Sequence, residues 1–354
     1  MKIALITDTH FGARNDNLNF NDYFYKFWEE TFFPYIEEHG IDTVIHLGDV
    51  MDRRKFVSYK IAQDFRQRFI QKFVDKGINL HMLVGNHDTF YKNTNDVNSL
   101  AELVDDRYSG ITCYPNPTTI DIDGTSLCLI PWICADNYAD TMQHIKETKA
   151  QVCLGHFELN GFEMYAGSYA ENGYDKAFLN KFDTVFSGHF HKKSDDGHVY
   201  YLGNTYEIMW GDCNDPKGFH IFDTNTRELE RIVNPFTIFQ KVYYDETTID
   251  YDNYDVSSLK DKFVKIIVVN KKDFYKFDRF IDRVLSESGA HEVKIVEDFS
   301  ELDAENVDDE IVQNAEDTMA LLERYIDELD IDLDKTRLTN MMKGLYLEAS
   351  DLEL

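Results

Sequence analysis

Five short runs carry residue types able to bind a metal: Asp8-Thr9-His10, Gly48-Asp49, Gly85-Asn86-His87-Asp88, Gly155-His156 and Gly188-His189-Phe190-His191. Aspartate, asparagine and histidine suit a divalent ion of intermediate hardness. The runs hold more such groups than one ion needs, which predicts a two-metal site. A two-metal hydrolase requires a bridging oxygen, terminal ligands on each ion and open coordination for substrate. Asp49 is the natural bridge. Asp8 and His10, one residue apart in one loop, can converge on one ion, and Asn86 offers a neutral oxygen to the other. His156, His189 and His191 complete the set. His87 stands beside a ligand, placed to donate a proton or to stabilise charge on a departing oxygen. Each run alone is weak, since Asn and Asp also favour ordinary turns. Their occurrence together, in this order, is the signal.

Each run follows a short apolar stretch of strand character: Ile3–Ile6, Thr43–Leu47, Leu80–Val84, Val152–Leu154 and Thr184–Phe186. Such runs without alternation read as strands buried on both faces. Between them, helical spacing is expected over 22–39 and over 58–76, where Ile61, Phe65, Phe69 and Phe73 form a stripe. Residues 15–21 read as a polar loop. The β-α-β-α-β order implies parallel strands with right-handed crossovers. A hairpin is expected over 118–130 around Asp123-Gly124 and a helix over 138–149. Strands at 200–202, 219–223 and 228–233 are assigned to a second, mainly antiparallel sheet. The fold class is α/β, a sandwich of two sheets. We place the main domain at 1–235 and a small β-α-β domain at 236–298. An acidic linker at 299–310 and two amphipathic C-terminal helices within 311–354 follow.

Composition narrows the setting. No secretory signal is visible, and no apolar run approaches the roughly 20 residues that span a bilayer. Five cysteines without metal-type spacing fit a reducing cytoplasm. The net charge of −29 argues against nucleic acid on bulk electrostatics alone. It is uneven: residues 301–354 hold 17 acids against 4 bases, and residues 236–300 hold 13 against 10.

The five runs resemble the motifs of the calcineurin-like metallophosphoesterases, whose two-sheet α/β/β/α sandwich they imply. The whole chain further resembles the SbcD/Mre recombination nucleases, particularly their T-even-phage-type branch. That likeness rests on Tyr91-Lys92-Asn93 after the third run, Ile130-Pro131-Trp132, Gly155 through Phe162, Ser187 through His191, Gly211-Asp212, and Asn214 through Phe219. It implies one manganese ion on Asp8, His10, Asp49 and His191, and another on Asp49, Asn86, His156 and His189. His87 would assist at the transition state without binding metal. It implies hydrolysis of DNA phosphodiesters by in-line attack of a metal-activated hydroxide, with the ions roughly 3.5–4 Å apart. It also implies a DNA-recognising capping domain, a homodimer, and an SbcC/Rad-type SMC-like ATPase partner docked on the C-terminal helices, in a cytoplasm (the host's if phage-encoded). Some relatives carry His where this chain has Asp52.

Arg53, Arg54 and Lys55 follow the bridging run and could hold DNA phosphates, as could Tyr91, Lys92 and Lys192. Phe11, Tyr91 and Phe190 flank ligands; core packing is preferred to base stacking. The Phe-rich breadth of helix 58–76 leaves room for a dimer contact. His46, His81 and His220 lie inside strands and read as structural. The rivals are a phosphoprotein phosphatase, which Gly48-Asp49-Val50-Met51-Asp52-Arg53 resembles, and a small-substrate phosphodiesterase. A non-enzymatic scaffold would have lost ligands, and none is missing.

Overall fold

The computed structural model describes residues 1–104, 108–165, 168–171 and 173–296. The acidic linker and the two C-terminal helices expected beyond 298 lie outside the described residues. In chain order the strands are β1 (Lys2–Ile6), β2 (Thr43–His46), β3 (Asn79–Leu83), β4 (Ile111–Tyr114), β5 (Thr118–Ile122) and β6 (Thr125–Ile130). Then come β7 (Val152–His156), β8 (Glu163–Tyr165), β9 (Ser168–Tyr169), β10 (Thr184–Gly188), β11 (Ser194–Asp195) and β12 (Val199–Tyr201). β13 (Gly218–Asp223), β14 (Leu229–Val233), β15 (Phe239–Asp245), β16 (Phe263–Asn270) and β17 (Glu292–Val296) complete the set.

Two six-stranded sheets result, ordered β14-β13-β1-β2-β3-β4 and β11-β12-β10-β7-β6-β5. Side chains explain the layering. Along β1, Ile3 and Leu5 face the second sheet and, with Ile45 and Leu47 of their own sheet, meet its Leu129 and Leu154. Ala4 and Ile6 point the other way, into a core with Phe24, Trp28, Phe65 and Phe69 from the helices. The second sheet's outer face, Cys128, Ile130, Cys153 and Val185, packs on Ile145 of helix Tyr138–Glu147. Helices therefore cover both outer faces, and strands apolar on both sides need no alternation.

Three expectations change. Residues 15–21 are not a loop: a helix begins at Leu18, where Asn17 Oδ1 accepts from the Asn19 N–H at 2.9 Å. Asparagine at an N-cap does what its side chain does in a turn, so composition alone reads both ways. The expected long helices each carry a π turn, Trp28–Phe32 and Phe65–Ile70. Strands β13 and β14 do not join the second sheet. β13 pairs antiparallel with β1, Lys2 opposite Asp223, and closes an edge that would otherwise stay open. β12 does belong to the second sheet, but parallel to β10.

The stripe of Phe65, Phe69 and Phe73 is fully buried within this chain, so it offers nothing to a second copy. Beyond residue 235, β15, β16 and β17 form a three-stranded sheet under helix Phe274–Glu287, with Tyr244, Ile266, Phe280 and Val284 in its own core. At its root Phe20 contacts Phe239 and Phe263 at ring separations of 5.6 and 4.9 Å. Buried Glu207 accepts from the Ile238 and Phe239 N–H groups at 2.7 and 2.9 Å. Among the described residues no helix is long and apolar enough to cross a membrane.

Candidate metal centre

All five runs lie where strands of the two sheets end on one side: β1, β2 and β3 from the first, β7 and β10 from the second. Ligands in open α/β sheets gather at the carboxyl ends of strands. Beyond their strands the first two loops stay paired. Asp8 N–H donates to Gly48 O (3.0 Å), His10 N–H to Asp49 O (3.1 Å) and Phe11 N–H to Val50 O (2.8 Å). This ladder holds Asp8, His10 and Asp49 in left-handed backbone, with φ of 51°, 42° and 56°; His189 adds a fourth at 87°. Such conformations cost about 1–3 kcal/mol each and persist only where surroundings over-determine them. Gly85 serves by close approach instead, since a Cβ there would sit 2.2 Å from Asp49 N and Oδ1.

The predicted ligands fall into two groups, Asp8 with His10 and His191, and Asp49 with His156 and His189. In each, the ligand atoms lie within 4.8 Å of one another. Asp49 Oδ2 stands 3.3 Å from His156 Nε2 and 3.9 Å from His10 Nε2, so it reaches both. Asn86 Oδ1 lies 2.9 Å from His156 Nε2 and 2.9 Å from His189 Nδ1. His10 and His191 bring their Nε2 atoms within 3.1 Å. Lone-pair atoms converging in this way, nearly all buried, fit a pair of divalent cations, and the N/O donor set suits a metal such as manganese or zinc.

Outer contacts aim these groups. His156 Nδ1 donates to Leu47 O at 2.8 Å, which leaves Nε2 for the centre. Asp8 accepts from Thr7 Oγ1 at 2.5 Å and from the His189 N–H at 3.1 Å. Asp49 Oδ1 accepts the His87 N–H at 2.8 Å. Asp88 binds no ligand atom; it accepts from Val50, Met51 and Gly85 N–H groups and fixes the second loop against the third. Buried partners of this kind orient ligands and set which ring nitrogen is free.

The electrostatics reflect crowding. Burial raises the Asp8 carboxyl to about 6. Burial would also raise Asp49, yet the His156 and His87 imidazoles hold it well below the usual range. Burial would depress His10 and His156, but Asp52 and Asp49 around the first, and Asp49 and Asp8 around the second, raise each to about 9. His189 and His191 go down, through burial and then their charged histidine neighbours. His87 is lowered by burial. Its Nδ1 donates to the Asp52 carbonyl at 2.6 Å, leaving Nε2 free.

The tentative phosphate contacts separate. Arg53 is ion-paired to Asp16 and lies over the Phe56 ring at 4.3 Å. Arg54 is half-buried, its Nη1 makes no hydrogen bond, and Asp49 is the charge acting on it. Lys55, Tyr91 and Lys92 are exposed, whereas Lys192 is paired with Glu163 at 2.6 Å. Phe11 and Phe190 are buried, Phe190 stacked on Tyr201 at 4.6 Å, so neither presents a face to a base. Of the strand histidines, His46 bonds Thr9 and His81 bonds Tyr114.

Three neighbours of the ligands were not evident from motif reading. Asp52 Oδ1 lies 3.3 Å from His10 Nδ1. Buried Lys217 bridges Asp212 and Asp215, each at 2.7 Å, and donates to His191 O at 3.0 Å. Trp132 sits 5.3 Å, ring to ring, from His189. The only sequence signal for these was their place in the wider resemblance.

Comparison with known proteins agrees with this geometry. Residues 1–193 match the family model for calcineurin-like phosphoesterases. The chain is 35% identical to exonuclease subunit 1 of Enterobacteria phage T4, over 99% of this chain and 100% of that protein. Among solved structures, an archaeal phosphodiesterase aligns with 66% of this chain and 99% of its own at 16% identity and a TM-score of 0.33. A hypothetical protein from Thermus thermophilus aligns with 66% and 98% at 15% identity and a TM-score of 0.37. The motif set, the paired ligand groups at the ends of two stacked sheets and the match over residues 1–193 place this chain in the calcineurin-like phosphoesterase family, as a phosphodiester hydrolase.

Proposed function

We propose that the protein is a metal-dependent DNA nuclease, cutting duplex ends as an exonuclease and single strands as an endonuclease in recombination and double-strand-break repair. The observation that carries this reading is an intact set of converging ligands in a chain that matches the phage T4 exonuclease subunit from end to end. That protein's name makes it one subunit of an exonuclease. On this reading the present chain is the nuclease subunit beside an SbcC/Rad-type SMC-like ATPase, and works as a homodimer.

Asp8, His10, Asp49 and His191 would hold one divalent ion, and Asp49, Asn86, His156 and His189 the other, with manganese our choice for both. When bound, the pair supplies Lewis acidity toward the phosphate and activates water as the nucleophile. The chain's own part is positional. Asp49 ties the two groups together. His87, anchored through Nδ1, presents Nε2 to the departing oxygen, to which its doubly protonated ring would give the Nε2 proton and return to the neutral form. Arg54, half-buried and with Asp49 as the charge acting on it, is our choice to grip a non-bridging phosphate oxygen, with Lys55, Tyr91 and Lys92 along the outer track. The phosphatase rival assigns that grip to Arg53, but Arg53 is taken by Asp16.

The test is a manganese-dependent assay on end-labelled duplex DNA, single-stranded DNA and a phosphopeptide. DNA should be cut and the phosphopeptide spared, and His87→Ala should keep metal while losing about 10²–10⁴-fold in rate. Hydrolysis of the phosphopeptide in preference to DNA, or full activity in His87→Ala, would overturn the reading.

A further inference from the structure

Trp132 has no role in the mechanism above, yet it stands at the mouth of the site. Its indole lies 5.3 Å from the His189 ring and 6.1 Å from the His156 ring, and it is only half-buried. The main chain beneath it is fixed from both ends. Its N–H donates to Val84 O at 2.8 Å, directly before the Gly85-Asn86 run. Its carbonyl accepts from two side-chain amides, Asn95 Nδ2 and Asn137 Nδ2, each at 2.9 Å. Both asparagines are buried and anchored again, Asn95 to Pro115 O at 3.2 Å and Asn137 by the Cys134 N–H at 2.9 Å. Packing against His189 alone would not require two buried amides on one carbonyl.

A partly exposed aromatic on a rigid backbone is what base stacking needs. Every nucleobase offers a π face, and little side-chain freedom is lost on contact. Of the other aromatic side chains flanking ligands, Phe11 and Phe190 are buried and cannot serve, and Tyr91, though exposed, makes its ring contact with Phe90 rather than with a ligand histidine. We propose that Trp132 is the stacking platform for a base next to the scissile phosphate, which makes the site selective for nucleic acid over other phosphodiesters. This rests on the nuclease reading above.

The experiment compares a single-stranded oligonucleotide with the same strand carrying abasic residues, using wild type, Trp132→Ala and Trp132→Phe with manganese. Trp132→Ala should raise KM for the normal strand about tenfold more than for the abasic strand, and Trp132→Phe should restore most of the difference. Manganese affinity, measured by calorimetry, should stay with wild type. Intrinsic fluorescence supplies a readout independent of cleavage. Trp28 is fully buried; Trp210 is half-buried like Trp132, but packs on Phe239 and Lys265, so any response from it would persist in Trp132→Phe. A thymidine monophosphate titration should therefore quench wild type and not Trp132→Phe. Equal losses on both strands, or a fall in manganese affinity, would reduce Trp132 to a support for His189 and overturn the proposal. Absence of quenching would do so as well. Quenching by nucleotide without DNA cleavage would uphold the platform while sinking the nuclease reading.

Discussion

Asp52 serves two histidines with two different groups, which lets one substitution separate them. Its carboxylate faces His10 Nδ1 at 3.3 Å, and its main-chain carbonyl accepts from His87 Nδ1 at 2.6 Å. Asp52→Ala removes the first contact and keeps the second. His10 and Asp52 are 2% and 4% exposed, so water screens the pair little. The expected loss in metal affinity is about 10- to 100-fold, the range seen when outer partners of ligating histidines are removed. Asp52→Asn, which keeps an acceptor but no charge, should fall at the low end. Only the ion held by Asp8, His10 and His191 should be affected, so a calorimetric manganese titration should show one of two steps weakened. Most of the turnover should return at saturating manganese, because the anchor of His87 is backbone. If Asp52→Ala leaves both steps in place, or if saturating metal restores nothing, the separation of roles drawn from the geometry is wrong.

Two further outcomes are expected. Above pH 6.5 the metal-free protein should lose stability as pH rises, because His10 and His156 are raised from 6.5 to about 9. The stability they contribute is complete below their unfolded value of 6.5 and is lost as pH rises from there through about 9, whereas His87, His189 and His191, which are lowered, have already lost their protons in both states. Manganese needs the ligands deprotonated, so the loaded protein should show the opposite trend; melting curves with manganese or with chelator from about pH 6.5 to 9 that run parallel would refute this. Lys217→Met leaves Asp212 buried without its cation and should cost about 3–5 kcal/mol in denaturant unfolding, with a weaker manganese step through the His191 loop. A change of under about 1 kcal/mol, as for a surface pair, would contradict the buried-pair account.

The ligand runs were legible because coordination is written in residue type and each run ends an apolar strand. His87 was legible for the same reason, as a member of the third run. What escaped reading depends on partners far away in sequence. Lys192 looks like a free surface cation until Glu163 is seen beside it. Asp52, Lys217 and Trp132 acquire meaning only from His10, Asp212 and His189. The destination of β13 escaped as well, because a run apolar on both faces fits any interior position of either sheet. Only the unpaired flank of β1 decides where it goes.

That pairing has a consequence for how the molecule is made. The neighbour of Lys2 on one side is Asp223, and at about 5–20 residues per second the ribosome takes roughly 10–40 s to deliver it. Throughout that interval β1 is a finished strand with one bare edge, carrying Asp8 and His10 at its end. The whole second sheet, with His156, His189 and His191, is synthesised in between. The nascent chain thus has its first ligands on an unsealed sheet and its last ones on a sheet that is complete before the seal arrives. Truncation before residue 218 should strand every ligand in a chain whose β1 edge is open to other chains, which makes β13 the element that separates a soluble product from an aggregating one.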